Sequence, residues 1–299
     1  MQQKCTLCPR NCAVDRETGE RGICGQTNEL KVARAALHFW EEPCISGEAG
    51  SGTVFFSGCS LHCVFCQNEA IANGTVGKNI TIERLAEIFL ELQEKGANNI
   101  NLVTPGHFIP QIKEALVLAK QKGLNLPIVY NTSSYESIEA IKSLEGFIDI
   151  YLPDFKYMDS TLSQKYSHAA DYAKVVKDNI AEMVRQTGTP VFDERGEEGI
   201  LKRGTIVRHL TLPGCLDDSK AVIRYLHETY GNQIYLSIMS QFTPLPNVSA
   251  YPELNRRVTE AEYEELVDYA IELGVEQGFI QEGDVAEESF IPDFDCEGV

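Results

Sequence analysis

The sequence contains no long apolar segment, and it is short of basic residues. No apolar run approaches the roughly 18 residues that a membrane-spanning helix needs, so we expect no transmembrane segment. The opening residues MQQKCTLCPRNC include no apolar stretch of the kind found in signal peptides, and we therefore expect a cytoplasmic protein. Only 26 basic residues stand against 44 acidic ones, which gives a net charge of −18 at pH 7. This balance disfavours nucleic acid or an anionic membrane as the main partner.

Cysteine, in contrast, is plentiful and unevenly placed. Of the 10 cysteines, only Cys215 and Cys296 lie beyond residue 66. Disulfides are not expected in a cytosolic protein, because that compartment keeps thiols reduced. Cysteines that merely fill a core would be scattered along the chain. Their concentration near the N-terminus predicts metal binding instead.

Strand-like and helix-like segments alternate through the rest of the chain, in about six β–α units. The strand-like segments are continuous apolar runs, as in a parallel sheet that is buried on both faces. Repeated right-handed β–α units predict an α/β fold, a partial (βα)6 TIM-like barrel, with a flat doubly wound sheet as the alternative. We predict a cysteine-rich metal-binding extension over residues 1–50, the barrel over 51–280 and an acidic tail over 281–299.

Three local predictions can be compared directly with a structure. The segment TIERLAEIFLELQEKG should be a helix that begins after Thr81 as N-cap and ends at Gly96. The segment from Thr161 to Arg185 should be largely helical. In the acidic tail, the apolar side chains of Phe290, Ile291 and Phe294 favour anchoring on the barrel over disorder.

The most informative stretch is SGCSLHCVFCQN, which contains Cys59, Cys63 and Cys66. Structural zinc usually takes four ligands in two pairs, and this triplet has no local fourth cysteine. Three thiolates can hold a 4Fe–4S cluster and leave one iron open to a substrate or cofactor. The triplet also follows an apolar strand at its C-terminal end, where α/β barrels place their active sites. The spacing therefore predicts a reactive cluster, with a zinc site or a chance grouping as the alternative.

The C-x3-C-x2-C spacing, with Phe65 just before the last cysteine, resembles the signature of radical S-adenosylmethionine (SAM) enzymes. Together with YLPDFKYMD and RHLTLPG, it makes the chain similar to the activating enzymes of glycyl radical proteins. Within that group the chain resembles an uncharacterised branch of homologues of the pyruvate formate-lyase activator. The likeness covers the β–α units from Thr53 to Gly274.

This resemblance implies that Cys59, Cys63 and Cys66 hold the cluster and that SAM chelates the open iron through its amino and carboxylate groups. It implies reductive cleavage of SAM, under anaerobic conditions, to methionine and a 5′-deoxyadenosyl radical that abstracts hydrogen from a substrate. The implied partners are a glycyl radical protein as substrate and an electron donor such as flavodoxin or ferredoxin. Two other functions remain open: modification of a small molecule or peptide, and a non-catalytic iron–sulfur electron-transfer protein.

The resemblance also implies SAM contacts at the strand ends. Many members of the family carry a Gly-Gly-Glu motif after the second strand, whereas this chain has VTPGH, which keeps Gly106 but lacks the acid. Backbone carbonyls near Thr104 can still accept from the SAM amino group, and His107 either contributes or is a surface residue. Asn131 and Ser133, after the third strand, are candidates for the ribose or carboxylate, although both residue types are also common in turns.

Further candidates come from the later strands. Asp154 and Lys156 in DFK resemble an Asp-Leu-Lys motif of the activators, and their alternation around Phe155 puts both on one strand face. The alternative is a simple surface ion pair. Arg208 on the next strand is expected to face the SAM carboxylate, and Gln241 to line the substrate entrance. With Phe65, these residues complete the predicted cofactor site.

A second group of cysteines precedes the triplet. Their spacing of x2, x3 and x11 suits either a tetrahedral zinc site or a second iron–sulfur cluster, and both stay open. Either metal would fasten the N-terminal segment to the barrel, and a cluster could also relay electrons. Cys44 is a substitute ligand or core packing, while His38 and Trp40 are expected to serve as packing. The group consists of Cys5, Cys8, Cys12 and Cys24.

Overall fold

The computed structural model describes residues 4–193, 199–281 and 292–299, and these form one α/β unit built on a single sheet. In the described residues the strands are β1 Leu30–His38, β2 Ser51–Phe56, β3 Lys78–Ile80, β4 Ile100–Val103, β5 Ile128–Thr132, β6 Ile150–Pro153, β7 Val191–Phe192, β8 Leu201–Leu210, β9 Tyr235–Met239 and β10 Gly278–Ile280. The α-helices are α1 Pro43–Ser46, α2 Glu69–Ala72, α3 Ile82–Glu94, α4 Ile109–Gln121, α5 Ile138–Lys142, α6 Ser160–Ser167, α7 Tyr172–Thr187, α8 Leu216–Tyr230 and α9 Glu260–Leu273.

The sheet is open and largely parallel. Its order is β10-β9-β8-β6-β5-β4-β2-β1-β3, with β7 paired to β8 at the side. From β2 to β10 the neighbours in this order run parallel, whereas β1 is antiparallel to both β2 and β3. Because β10 and β3 form the two ends, the described residues do not close a barrel. The predicted α/β fold is confirmed, and its open parallel sheet is consistent with a partial TIM-like barrel.

The central strands are apolar because both faces of the sheet are covered. Every residue of β2, β4, β5 and β6 is buried. On the outer face, Ile128 and Tyr130 pack with the buried sides of α3 and α4. On the inner face, Val129 packs with Ile45 of α1. In a strand with one face in water, polar and apolar residues alternate. Here both faces of the sheet are buried, so apolar residues can follow one another along these strands.

Both helix predictions are confirmed, and the second segment contains a break that the sequence analysis did not predict. The Thr81 side chain accepts a hydrogen bond from the Arg84 N–H at 3.1 Å and begins α3, and Gly96 follows its end in a left-handed conformation. The segment from Thr161 to Arg185 is largely helical, as predicted, and it consists of two helices, α6 and α7. The helix is interrupted at His168, whose left-handed backbone conformation (φ 55°) caps the end of α6.

The first fifty residues are joined to the sheet more closely than a cysteine-rich extension suggests. Strand β1, which the sequence analysis did not predict, pairs along its length with β2. The hairpin connection between them carries α1 into the inner face, where Asn98 and Asn99 donate side-chain hydrogen bonds to the backbone carbonyls of Ser46 and Ile45 at 2.7 and 2.8 Å. The division at residue 50 remains a prediction, but the β1–β2 pairing crosses it.

The chain end also joins the sheet. Cys296 donates a backbone hydrogen bond to Ala33 at 3.0 Å, and Phe294 packs edge-on against Phe55 with ring centroids 5.4 Å apart. The expected anchoring is thus observed for Phe294, whereas Phe290 and Ile291 lie outside the described residues. Among the helices described, none is long and apolar enough to cross a membrane.

Candidate active site

A cavity of about 240 Å³ opens at the C-terminal ends of the parallel strands. We call it the larger cavity. Each strand from β2 to β9 in the parallel part of the sheet delivers a polar or thiol side chain to it, since the carboxyl ends of parallel strands meet at one edge. Among the residues lining it are Cys59, Cys63, Phe65, Cys66, Thr104, Asn131, Ser133, Asp154, Lys156, Arg208 and Gln241.

The three cysteines of the triplet lie together on the loop that follows β2, which we call the cysteine loop (residues 57–68). Burial raises the pKa of the Cys63 thiol to about 11, partly opposed by the charge of Lys156. Burial, followed by the nearby Cys59 and Cys63 thiols, raises the pKa of Cys66. The Leu61 N–H donates to the Cys59 sulfur at 3.4 Å, and the Ser167 hydroxyl donates to the Cys63 sulfur at 3.0 Å.

This donor set fits a metal cluster. Three partly buried thiols on one short loop can become thiolates together when a cation neutralises their charge. Within residues 4–193, 199–281 and 292–299, no three His, Cys, Asp or Glu side chains already surround a position for a single ion. In a 4Fe–4S cluster each thiolate binds a different iron atom, so the three sulfurs need not converge on one point.

An ionic network forms one wall of the larger cavity. Arg208 donates from Nε to Asp154 Oδ1 at 2.9 Å and from Nη2 to Asn131 Oδ1 at 2.6 Å. Lys156 donates to the other carboxylate oxygen of Asp154 at 2.7 Å. Burial alone would raise the pKa of Asp154, but the charges of Arg208 and Lys156 outweigh it and hold the pKa below its usual value. The side chains of this ion-paired triad are only 15% exposed, unlike those of the surface pair that was the alternative.

Glu41 completes this network, and the sequence analysis missed it. Its Oε2 accepts from Arg208 at 3.2 Å, while its Oε1 accepts from the side-chain amides of Asn101 and Asn131 at 3.0 and 3.2 Å. Burial raises the pKa of Glu41, and the charge of Arg208 opposes that effect. Glu41 precedes α1 in the β1–β2 connection, far from the other site residues in sequence. No motif or local spacing marks it, so only the pairing of β1 with β2 reveals its position.

The residues of VTPGH do not all face the larger cavity. Thr104 does, with a φ of 56°. Gly106 instead lies against Glu136, because a Cβ there would stand 2.7 Å from Glu136 Oε1. His107 is buried, and its Nε2 is 2.7 Å from the Ser57 carbonyl; burial lowers its pKa to about 3, so the ring is neutral. His107 is thus a buried structural contact of Ser57, which excludes the surface alternative.

The N-terminal cysteines line a smaller cavity of about 30 Å³ behind the first. The two cavities share Thr104, Thr132 and Ser133 as lining residues. Burial raises the pKa of the Cys8 thiol to about 12, against the opposing effect of the Arg10 backbone N–H. The smaller cavity brings together Cys5, Cys8, Cys12 and Cys24, and adds Gly106, Tyr135 and Glu136.

The remaining candidates separate into packing and rim positions. Cys44 is 1% exposed in the apolar core with Val129 and Ile150, so the packing alternative is the one observed. His38 and Trp40, expected to be packing, both line the larger cavity. His38 makes an edge contact with Phe55, whereas Trp40 is 64% exposed. Sequence reasoning had no signal for this, because both residues follow β1, which it did not predict.

The fold and the strand-end cavity define a class of protein, and comparison with known families agrees. Residues 53–194 match the model described as the Radical SAM superfamily. This part of the chain is therefore a radical SAM domain, a family whose members use a 4Fe–4S cluster and SAM. The match begins with β2 and includes all three cysteines of the cysteine loop.

Individual relatives are more distant. The chain is 29% identical over 276 residues to an uncharacterized protein of Methanocaldococcus jannaschii, covering 90% of this chain and 74% of that protein. It is 26% identical over 188 residues to a pyruvate formate-lyase-activating enzyme of Clostridium pasteurianum, covering 61% and 70%. Streptococcus suis SuiB, solved with its precursor peptide SuiA, shares the fold at a TM-score of 0.50 and 14% identity, over 75% of this chain. The chain spans 46% of the SuiB chain.

Proposed function

We propose that this protein is a radical SAM enzyme that binds its 4Fe–4S cluster through Cys59, Cys63 and Cys66 and holds SAM in the larger cavity. The supporting observation is the meeting of three partly buried thiols and one ionic network in a single strand-end cavity. When bound, the cluster supplies the electron for cleavage of SAM to methionine and a 5′-deoxyadenosyl radical. The protein's own task is to bind, orient and shield these groups.

The network has the donors and acceptors that SAM requires. SAM presents a carboxylate, an ammonium group and two ribose hydroxyls. Lys156 has three N–H donors, of which Asp154 takes one, and the others are available for a carboxylate or hydroxyl oxygen. Asn131 and Ser133 supply short polar groups from the end of β5, and the backbone carbonyl of Thr104 supplies an acceptor from the end of β4. We assign Arg208 to fixing Asp154 and Asn131 as well as to facing the SAM carboxylate.

We further propose that the hydrogen donor is a backbone glycine of a glycyl radical protein, with a flavodoxin or ferredoxin as electron donor in the cytoplasm. The support is the sequence resemblance to the activating enzymes and the similarity to the Clostridium pasteurianum activator. The acidic chain, at −18, is compatible with a protein partner and disfavours RNA.

A small molecule or a peptide is the second candidate substrate. Two observations favour it: VTPGH lacks the acid of the family motif, and the extra cysteines precede the triplet, whereas the usual activators carry them after it. Trp40 at the rim of the larger cavity offers an aromatic surface to a ligand of either kind.

The test is anaerobic reconstitution with iron and sulfide, followed by dithionite and SAM. We expect 5′-deoxyadenosine and methionine in equal amounts, and no product without dithionite. Absence of deoxyadenosine from protein that contains the full cluster would favour the electron-transfer alternative and overturn the proposed enzyme.

A second measurement identifies the substrate class. Any glycyl radical protein found encoded beside this chain's gene, or otherwise a known glycyl radical protein, is added, and the glycyl radical is sought by electron paramagnetic resonance (EPR). A radical doublet on such a protein supports activation. Deoxyadenosine formation without any doublet supports the small-molecule or peptide alternative.

A further inference from the structure

The N-terminal cysteine segment (residues 5–26) packs directly on the cysteine loop. Gly58, immediately before Cys59, has a φ of 96°, and a Cβ there would stand 2.5 Å from the Cys24 carbonyl oxygen. The His62 ring, between Cys59 and Cys63, places Nε2 2.9 Å from the Ile23 carbonyl. Gly58 before Cys59 and His62 after it thus both contact the backbone of residues 23 and 24. A shift of that backbone would therefore move the cysteine loop.

The Arg10 side chain connects the two segments through several contacts. Its Nε donates to the Ser60 carbonyl at 2.8 Å, and its Nη2 donates to the Ser167 carbonyl at 3.0 Å. Its guanidinium also lies over the Tyr135 ring, 5.2 Å from the centroid. The hydroxyl of the same Ser167 donates to the Cys63 sulfur at 3.0 Å. One side chain of the N-terminal segment therefore holds both the cysteine loop and the residue that contacts a cluster ligand.

The N-terminal thiols lie close together around the smaller cavity. All four belong to its lining. A Cβ on Gly22 would stand 3.2 Å from Cys12 Sγ and 3.5 Å from Cys24 Sγ, so these two sulfurs flank the same glycine. Four thiols gathered from one short segment make up the ligand set of a structural zinc site or of an iron–sulfur cluster.

We propose that Cys5, Cys8, Cys12 and Cys24 bind a thiophilic metal centre, either one zinc ion or an iron–sulfur cluster, and that this centre clamps the cysteine loop through Arg10. For zinc, the four sulfurs close around the ion when it binds, because no three of them already surround one position in the described residues. Binding of the metal displaces the thiol protons to solvent and ties the N-terminal segment into one rigid loop. With Arg10 fixed, Ser60 and Ser167 are held and the cluster thiols keep their positions. The part that concerns the triplet rests on the proposed function, whereas the N-terminal centre does not.

The test compares Cys8→Ala, Arg10→Ala and Arg10→Lys with the wild type, after anaerobic reconstitution of the full chain. Arg21→Ala is the matched control, because Arg21 belongs to the same segment but donates to Gly25 at 2.7 Å, within that segment. Zinc, iron and sulfide are measured per chain, followed by the rate of iron release to a chelator and the EPR spectrum of the reduced cluster with and without SAM. Far-ultraviolet circular dichroism shows that each variant is folded.

We expect Cys8→Ala to lose the N-terminal metal, seen as zinc if the centre is zinc or as iron and sulfide if it is a cluster. Arg10→Ala should keep that metal yet release cluster iron about tenfold faster, the effect of losing one or two hydrogen bonds. Arg10→Lys should lie between Arg10→Ala and the wild type, and Arg21→Ala should match the wild type.

Wild-type protein with no metal beyond the triplet's cluster would overturn the centre, as would a Cys8→Ala variant with unchanged metal content. Iron release from Arg10→Ala at the wild-type rate would overturn the clamp. These outcomes are separate from failure of the proposed function, which appears as wild-type protein with both centres loaded that produces no deoxyadenosine.

Discussion

The larger and the smaller cavity are both lined with cysteines, but their other walls differ. The larger cavity, about 240 Å³, has an ionic wall of Asp154, Lys156 and Arg208 beside its thiols. The smaller one, about 30 Å³, is too small for a ligand the size of SAM, and its thiols come from one short segment. Volume and fixed charge suit a polar ligand such as SAM, whereas a small thiol-lined space suits a metal alone. What distinguishes a reactive site from a structural one is therefore the set of other side chains that line the cavity, because both cavities contain cysteines.

The largest effect should come from removing a thiol of the larger cavity. Cys63→Ala should abolish cluster binding and SAM cleavage, because two thiolates cannot replace the lost ligand. Iron and sulfide analysis with a deoxyadenosine assay measures both. Cys215→Ala, outside both cavities, is the control and should retain both. Deoxyadenosine formation by the Cys63 variant would show that the triplet is not the cluster site.

The second-largest effect should come from removing the negative charge of Asp154 from the ionic wall. Asp154→Asn leaves Arg208 and Lys156 without their shared carboxylate in a buried site, which should cost about 3 kcal/mol of unfolding free energy. Because the pKa of Asp154 is lowered in the fold, its stabilising effect is present above its usual pKa and is lost as the pH falls through the lower folded value. Denaturant titration at pH 7, with the exposed Asp268→Asn as control, measures the cost. A loss no greater than that of Asp268→Asn would contradict the network.

Glu136, in the wall of the smaller cavity, should make folding stability depend on pH in the opposite direction. Burial raises the pKa of Glu136 to about 7, and its Oε2 has no hydrogen-bond partner within the described structure. Its usual pKa is 4.5, so between pH 4.5 and 7 the folded state keeps a proton that the unfolded state has lost. Folding stability therefore falls as pH rises through this window, by about 1 kcal/mol per pH unit.

Glu136→Gln should remove this dependence, because the amide does not titrate. Its unfolding free energy should exceed the wild-type value by more at pH 7 than at pH 5, in denaturant titrations at fixed metal loading. The groups that face Glu136 are Thr132, Tyr130 and, at longer range, Asp154. A difference between variant and wild type that is the same at both pH values would mean that Glu136 is already ionised at pH 5.

The smallest expected effect concerns the residue that links the β1–β2 connection to the larger cavity. Glu41→Gln keeps one carbonyl oxygen but weakens the charged bond to Arg208, which should cost about 1–2 kcal/mol of unfolding free energy. We also expect SAM affinity to fall by about tenfold, because Arg208 loses one of its three anchors. Equilibrium dialysis with SAM measures this, and the exposed Glu48→Gln should change neither quantity. Unchanged SAM affinity would restrict Glu41 to a role in stability.

Some of these features were predictable because they depend on neighbours in sequence. The continuous apolar runs of the strands predicted a parallel sheet, and the alternation of Asp154 and Lys156 around Phe155 predicted their common face. The Thr81 N-cap was also predicted correctly, because it involves only the four residues from Thr81 to Arg84. The α6–α7 break was not, because a helical pattern continues across His168 and only its left-handed backbone interrupts the helix.

The sequence by itself determined the α/β class, the radical SAM signature and two separate groups of thiols, because cysteine spacing and apolar periodicity are local properties of the chain. Only the tertiary structure decided what surrounds those thiols. Glu41 reaches Arg208 across 167 positions, and Arg10 reaches Ser167 across 157. Such contacts depend on which strands pair and where loops cross, and no short stretch of sequence encodes them. The thiol groups of the site are therefore recognisable from short stretches of sequence, whereas the side chains that hold them in position come from distant parts of the chain.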